Sequence, residues 1–499
     1  MTTEREAKLI PNDAFGMPTF EGLVAVSQPV RELDATYYDT PDLELVRWGI
    51  TLRFRTGEPG APWTLKLPDD VSNGVIAREE LAFDGEIDIV PDEARDVVRC
   101  FTRGSPLRRV TRLHTTRLPV QVRDADGQTL VEIDDDSISV VDGVRTVDHF
   151  REVEVEATAD SPASRAALHS TVAALIHAGC RAERPVPKLV RAIGRQAQEP
   201  PSVVVMPVGR HTSTADLIRH LTAASVVQML MHDPGVRLGH DPEALHRYRV
   251  ATRRLRSDLR TFSRLLDADL SAELRDELQW LGSTVGPARD LDVLEARLAA
   301  NARLLSDVDQ PATTELLARL AVSKRAARDG LLAALRSDRY DGTLRTLVKF
   351  ATEPPIAAAA YRKAKQPAAH VASSLVKRRW NQLAAAVDTM GEHPTDTELH
   401  QIRIAAKRCR YAAEAVAPVV GGSARRFAAG VEAIQAVLGD YHDTVVAEAW
   451  LRNAAIELVD ARVAIGGLIA IERQERAHLR DEWPNTWHRA SKSSARNWL

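Results

Sequence analysis

Acidic and basic side chains recur two residues apart through the first 200 residues: Glu4, Glu6 and Lys8; Arg53 and Arg55; Thr64 and Lys66; Arg78 and Glu80; Glu132, Asp134 and Asp136; Glu152, Glu154 and Glu156. A strand alternates its side chains between two faces, so each set shares one ionic face, with Leu52, Phe54, Leu65, Ile133, Val153 and Val155 on the other. Carboxylates supply the oxygen donors that hard divalent cations take, and guanidinium or ammonium groups hold phosphate. One such strand is an ordinary solvated sheet face. Six of them, with acids that would repel one another unless cations stood among them, favour a closed barrel whose charged lumen holds metal and anion.

A second pattern lies further along. The stretch beginning His246-Arg247-Tyr248-Arg249 returns 154 residues later as His400-Gln401-Ile402-Arg403. At 100° per residue, His246, Arg249, Arg253, Arg256 and Arg260 fall within about 80° of one another. The second copy aligns His400, Arg403, Lys407 and Arg410, with Glu414 standing where Arg260 stood. Tyr248, Leu255, Leu259, Ile402, Cys409 and Val416 occupy the opposite, core-facing sides. Each basic stripe is about 16 Å long at 1.5 Å per residue, a length suited to an extended anion. His246 and His400 lack ligand-spaced His or Cys partners and stand beside arginines that repel a cation, so donation to phosphate or a structural role is favoured over metal binding. Aromatic residues are 5% of the chain and none interleaves with the stripes, which disfavours nucleic acid as the partner.

These groups need several domains to position them, because 499 residues exceed one core. The net charge of −3 conceals 24 Lys+Arg against 34 Asp+Glu in residues 1–200 (−10), and 42 against 35 (+7) in the remainder. The proline-punctuated segment from Glu199-Pro200-Pro201 to Pro207 separates them. The expected division is 1–198, a linker 199–212, and 213–499, the last in halves near 213–355 and 365–499. The acidic part reads as α+β: about eight strands with short helices at Pro41–Val46, Pro91–Phe101 and Ser161–Ala178. The basic part reads as about ten helices, with breaks at Asp233-Pro234, Gly239–Pro242, Asp309–Pro311, Pro354-Pro355 and Gly391–Pro394. A second repeated landmark, Leu281-Gly282 to Asp292 answered by Leu438-Gly439 to Asp443, suggests two helical bundles related by a pseudo-twofold axis. Asp290, Asp292, Asp440 and Asp443 are expected at helix starts or as partners that orient arginines. Three dispersed cysteines, early charges at Glu4–Glu6 and the lack of long apolar runs suggest a cytoplasmic protein that does not enter membranes.

The Glu4-x-Glu6-x-Lys8 stretch, Tyr37–Pro41, Leu52-Arg53-Phe54-Arg55, Trp63–Lys66, Glu152–Glu156 and Lys188–Arg191 together resemble a CYTH domain of the triphosphate tunnel metalloenzymes. The resemblance implies an antiparallel β-tunnel that binds a triphosphate with Mg²⁺ or Mn²⁺ and hydrolyses it. It assigns metal binding to Glu4, Glu6, Glu80, Asp136, Glu154 and Glu156, and catalysis to Glu4, Glu6 and Lys8. Arg53, Arg55, Lys66, Arg78, Arg112, Arg117, Lys188 and Arg191 become substrate-binding residues. Arg112 and Arg117 differ in parity, so either a bulge intervenes or only one points inward. The register of Asp134-Asp135-Asp136 is open, with Asp136 favoured.

Residues 213–499 resemble a CHAD domain, the conserved-histidine α-helical module. That resemblance implies a cleft binding polyphosphate through His246, Arg249, Arg253, Arg256, Arg260, His400, Arg403, Lys407 and Arg410. The leading expectation is a metal-dependent inorganic triphosphatase with a polyphosphate-binding helical domain. The alternatives are a non-catalytic polyphosphate binder and an enzyme acting on nucleotide or thiamine triphosphate.

Overall fold

The computed structural model describes residues 6–68, 79–182, 186–391 and 393–499. Glu4 and Arg78 lie outside the described residues, and Glu6 is described by its backbone alone. The chain divides into two compact units, Met1–Ser202 and Val203–Leu499.

The first unit is an antiparallel sheet of ten strands: β1 (Glu6–Pro11), β2 (Val24–Ser27), β3 (Arg31–Asp39), β4 (Thr51–Thr56), β5 (Trp63–Lys66), β6 (Glu80–Phe83), β7 (Arg108–Arg123), β8 (Thr129–Asp142), β9 (Arg145–Ala157) and β10 (Cys180–Ala182). Their order is β10-β1-β9-β8-β7-β3-β4-β5-β6, and β2 pairs with β7 beside β3. Among the described residues five α-helices accompany them: α1 (Glu44–Arg47), α2 (Asp92–Val97), α3 (Arg99–Thr102), α4 (Pro162–His177) and α5 (Lys188–Ile193). The short strands β2 and β10 carry no ionic alternation, which is why the sequence pattern yields about eight strands. α4 covers one face of β8 and β9, packing Ala167, Leu168 and Leu175 against Val131, Ile133, Val153 and Val155. The ionic face is the other one. It curls strongly: Arg53 on β4 feels the charge of Glu154 on β9, although four inter-strand steps separate them along the sheet. Laid flat, those steps would span about 19 Å.

Buried Asp39 fixes the start of α1 by accepting the N–H groups of Thr40 (2.6 Å), Leu45 (2.8 Å) and Val46 (2.9 Å). At the other end of the curled face, Tyr37, Leu113, Ile138 and Val140 pack with Leu189 and Ala197, so α5 is anchored by an apolar cluster immediately beyond the charged one.

The second unit is all-helical: α6 (Thr214–Leu238), α7 (Pro242–Thr261), α8 (Ala268–Ala302), α9 (Gln310–Leu335), α10 (Asp338–Thr352), α11 (Tyr361–Ala364), α12 (Ala369–Asp388), α13 (Asp396–Val420), α14 (Gly422–Glu457), α15 (Arg462–Ala490) and α16 (Ser493–Arg496). The helix order repeats, α6–α9 being answered by α12–α15. The basic helices α7 and α13 pack on each other. Leu294, Leu298, Leu316 and Leu320 of α8 and α9 share one core with Ala447, Leu451, Ile465 and Leu468 of α14 and α15.

Two expected features are corrected. α6 continues through Pro234 to Leu238, because Arg237 binds Asp233 (2.5 Å) and the Tyr340 hydroxyl donates to the same carboxylate (2.5 Å), clamping the last turn. α8 likewise runs through Pro287, so Asp290 and Asp292 stand mid-helix and not at a helix start; α14 does the same for Asp440 and Asp443.

Candidate active site and anion-binding cleft

On the curled face the strand registers align Asp134 with Glu154 and Asp136 with Glu152 across β8 and β9, and Lys8 with Glu154 across β1 and β9. Arg117 of β7 is the hub. Its Nε and one terminal nitrogen each donate to Asp136 at 2.8 Å, and its other terminal nitrogen meets Asp134 at 2.5 Å. Lys188 enters from α5 and reaches Asp136 (2.6 Å) and Glu154 (3.1 Å), while Lys8 donates to Glu154 at 2.5 Å. Asp134 and Asp136 both face this side. Asp135 points the other way and pairs with Arg151 (2.5 Å), which resolves the triple-aspartate register.

Arg55 pairs with Glu58, Lys66 with Glu80 (2.7 Å), and Arg191 approaches Glu152 (3.5 Å) while stacking on Phe150. Arg53 is half-buried beside Tyr37, its Nε without a hydrogen-bond partner. The register between β3 and β7 is unbroken from Arg112 to Arg117. Their opposite parity therefore puts Arg112 on the outer face, where it binds Asp34 at 2.8 Å with half its side chain exposed, and the expectation that it lines the tunnel is corrected. Glu156 is exposed, in register with Glu6 and Glu132.

The electrostatics follow from burial of many charges together. Burial alone would raise Glu154, but Lys188 and Lys8 outweigh it and hold the carboxyl well below its usual range. Burial raises Glu152, and repulsion from Glu154 adds to the effect. Asp134 is pushed up to about 6 because burial, with Asp136 and Glu154 nearby, overcomes the pull of Arg117. Among the described residues no three carboxylates or imidazoles converge as a ready metal site; Arg117, Lys188 and Lys8 stand between them. The donor set itself is all-oxygen and suits a hard divalent ion. Glu152 keeps one buried oxygen without a hydrogen-bond partner, 3.4 Å from the Lys188 ammonium.

In the helical unit, α7, α8, α13 and α14 enclose a cavity of about 710 Å³. Arg249, Arg253, Arg256 and Arg260 line one wall, and Arg403 and Lys407 the other. The two stripes thus meet in one cleft. Asp290 holds Arg249 at 2.8 Å, the arginine-orienting role, and Arg253 donates to the Tyr411 hydroxyl at 2.5 Å. Arg410 is a correction: Glu414 (2.6 Å) and Glu432 (2.8 Å) draw it away, and it does not line the cleft. His246 lines a neighbouring pocket with Glu243 and Arg254, and His400 packs against His442 with ring centres 4.5 Å apart and the rings tilted by 40°. Helical spacing missed Arg408, Arg297, Tyr411 and His442, all of which line the cleft. Arg297 and His442 sit on the long helices near the repeated Leu-Gly landmarks, which is the one signal that could have found them. Burial and the surrounding guanidiniums depress the cleft's bases: Lys407 falls to about 7, His442 to about 4 and the adjoining Arg379 to about 10.

A curled antiparallel sheet with this charged face, followed by a duplicated basic helical unit, defines a CYTH domain followed by a CHAD domain. The CYTH family matches residues 2–174 and the CHAD family residues 220–452. Two uncharacterised proteins of Mycobacterium tuberculosis, from strains CDC 1551 and H37Rv, are each 33% identical over 463 residues, covering 88% of this chain and 86% of theirs. The chain belongs to this CYTH–CHAD family. Among solved structures, PptA from Streptomyces chartreusis is 24% identical, covering 56% of this chain and all of its own, with a TM-score of 0.46. The CHAD domain from the plant Ricinus communis is 26% identical over 57% of this chain and 95% of its own, with a TM-score of 0.47. HpAC1 from Hippeastrum, described as having a dominant triphosphatase activity, is 16% identical over 38% of this chain and 94% of its own, with a TM-score of 0.23. Among the described residues no helix is long and apolar enough to cross a membrane.

Proposed function

We propose that the CYTH unit hydrolyses inorganic triphosphate with Mg²⁺ or Mn²⁺ and that the CHAD cleft binds polyphosphate. The observation that carries the first reading is the convergence of Arg117, Lys188, Lys8 and Arg53 with Asp134, Asp136, Glu152 and Glu154 on one curled face. Cations and acids interleaved in this way accept an anion and a metal together, the anion taking the cations and the metal the carboxylates they release. Asp134, Asp136, Glu152 and Glu154, with Glu4 and Glu6 of the Glu-x-Glu-x-Lys stretch, would hold the metal. A bound divalent ion there would neutralise charge on the phosphate oxygens and orient them. Arg117 offers a planar fork that fits two phosphate oxygens, and Lys8 and Lys188 serve as point charges. Arg53, Arg55 and Lys66 fix the far end of the chain of phosphates. Because these donors are held before substrate arrives, they stabilise charge in phosphoryl transfer without reorganising. The partner is an inorganic triphosphate, since the aromatic residues described on this face are already engaged: Tyr37 is buried in the apolar cluster, and Phe150 packs against that cluster with the Arg191 guanidinium over its ring.

The test is phosphate release by the full chain from tripolyphosphate, ATP and thiamine triphosphate, each with Mg²⁺, Mn²⁺ or chelator. Tripolyphosphate cleaved fastest, and only with metal, is the expected result. Preferential turnover of an organic triphosphate would replace the substrate assignment. Tight tripolyphosphate binding with no turnover would reduce the unit to a binding module.

A further inference from the structure

Besides Glu414 answering Arg260, the two basic helices differ at a position deep in the cleft's charge pattern: Arg253 in the first half is answered by Lys407 in the second. Arg253 is steadied by the Tyr411 hydroxyl. Lys407 has no such support; among the described residues it makes no ion pair or hydrogen bond. It is half-buried, and the groups that face it are overwhelmingly cationic. From α7 come Arg249, Arg253 and Arg256, and its own helix adds Arg403, Arg408 and the imidazole of His400. From α8 come Arg297, already neutralised by Glu472 at 2.8 Å, and Asp290, already committed to Arg249. From α14 come His442 and Asp443, the carboxylate facing Arg403. Beside Lys407 itself, seven guanidiniums line the cavity against two carboxylates, and both carboxylates serve other partners.

We infer that a polyanion entering this cleft binds together with one proton, taken from solvent by the Lys407 amine, so that affinity falls as pH rises above neutrality. The inference rests on the reading of the cleft as a polyanion site and adds how that site is regulated. Empty, the cleft disfavours an ammonium at Lys407, because burial and four guanidiniums act in the same direction. Filled, a row of anionic oxygens reverses the local field and the ammonium becomes the favoured form. The lysine lone pair takes a solvent proton, and no other bond is made or broken. With Lys407 at about 7 in the empty cleft, roughly nine in ten molecules carry a neutral amine at pH 8 and must gain a proton on binding. Arginine keeps its charge at any such pH, so the first repeat cannot do this.

The test is calorimetric titration of the full chain at pH 8 in two buffers of different ionisation enthalpy. The probes are long-chain polyphosphate and a polysulfate whose own charge is constant from pH 6 to 10. For both probes the wild type takes up about one proton more than Lys407→Arg, and its affinity falls by up to about tenfold per pH unit above pH 7.5, whereas that of Lys407→Arg stays flat. A second variant, Lys407→Met, has no uptake either, and its affinity at pH 6 matches that of the wild type at pH 9. The CYTH unit contributes equally to every protein compared, so the differences report the cleft. Equal proton uptake in wild type and both variants overturns the coupling while leaving the cleft a polyanion site. Failure of the wild type to bind either probe at pH 6 removes the underlying reading and the coupling with it.

Discussion

Asp134→Asn should stabilise the CYTH unit at neutral pH, by an amount that follows from its surroundings. The carboxyl is lifted from its ordinary 3.8 to about 6, so the folded unit binds its proton more tightly than the unfolded chain does. For a raised acid the sign is that stability falls as pH climbs from about 4 to about 6 and stays reduced above that. At 1.36 kcal/mol for each pH unit, the ionised group costs at most about 3 kcal/mol at pH 7.5. The side chain is one-quarter exposed, and solvent screening brings the expected gain for asparagine to about 2 kcal/mol. Arg117 loses one partner but keeps both contacts to Asp136. Urea-dependent hydrogen exchange of the β8 amides, read by mass spectrometry with chelator present, should show the gain at pH 7.5 and none near pH 4, where wild-type Asp134 is itself neutral. An equal difference at both pH values, or destabilisation at pH 7.5, would refute the electrostatic reasoning.

Glu154→Gln should abolish metal-dependent phosphate release with the circular dichroism spectrum unchanged, because it removes a charge that Lys8 and Lys188 now share. Arg53→Ala or Lys66→Ala should raise KM for tripolyphosphate by about 10- to 150-fold, the equivalent of a charge-assisted contact of about 1.5–3 kcal/mol. Arg112→Ala, on the outer face, should leave KM within twofold of wild type. Gly239→Ala should lower the melting temperature of the helical unit: its φ is +75°, and an added Cβ would lie 1.8 Å from the Arg328 guanidinium that donates to the Arg237 carbonyl. Replacing Arg249, Arg253, Arg403 and Lys407 together by Ala should abolish polyphosphate binding that weakens steeply with added salt, as measured by filter retention; retained, salt-insensitive binding would make the stripes a solvated face.

Much of the first site could be read from parity alone, because a strand's period of two survives any tertiary context. Lys8, Arg53, Arg55, Lys66, Arg117, Asp136 and Glu154 all share the ionic face for that reason. Arg112 could not be placed without the register, since a bulge between it and Arg117 would have reversed the answer, and bulges do occur in the same strand on either side. In the helical unit, periodicity located the stripes but could not say which acid from another helix would capture a given arginine. Glu414 collects Arg254 from α7 and Arg410 from its own helix, so the strict equivalence of the two copies breaks there. Arg408 consequently lines the cleft in place of Arg410. The continuation of α6 and α8 through prolines was equally hidden, because local rules name the broken backbone bond and not the tertiary contacts that compensate for it.

The apolar cluster shared by α8, α9, α14 and α15 gives the duplication a physical consequence. It joins the two repeats in one buried cluster, Leu298 and Leu320 from the first with Leu451 and Ile465 from the second. One repeat taken alone would expose this apolar face to water, which favours its association with the other. Carrying both repeats in one chain makes their association independent of concentration and leaves the two walls free to differ, as they do at Arg253 and Lys407.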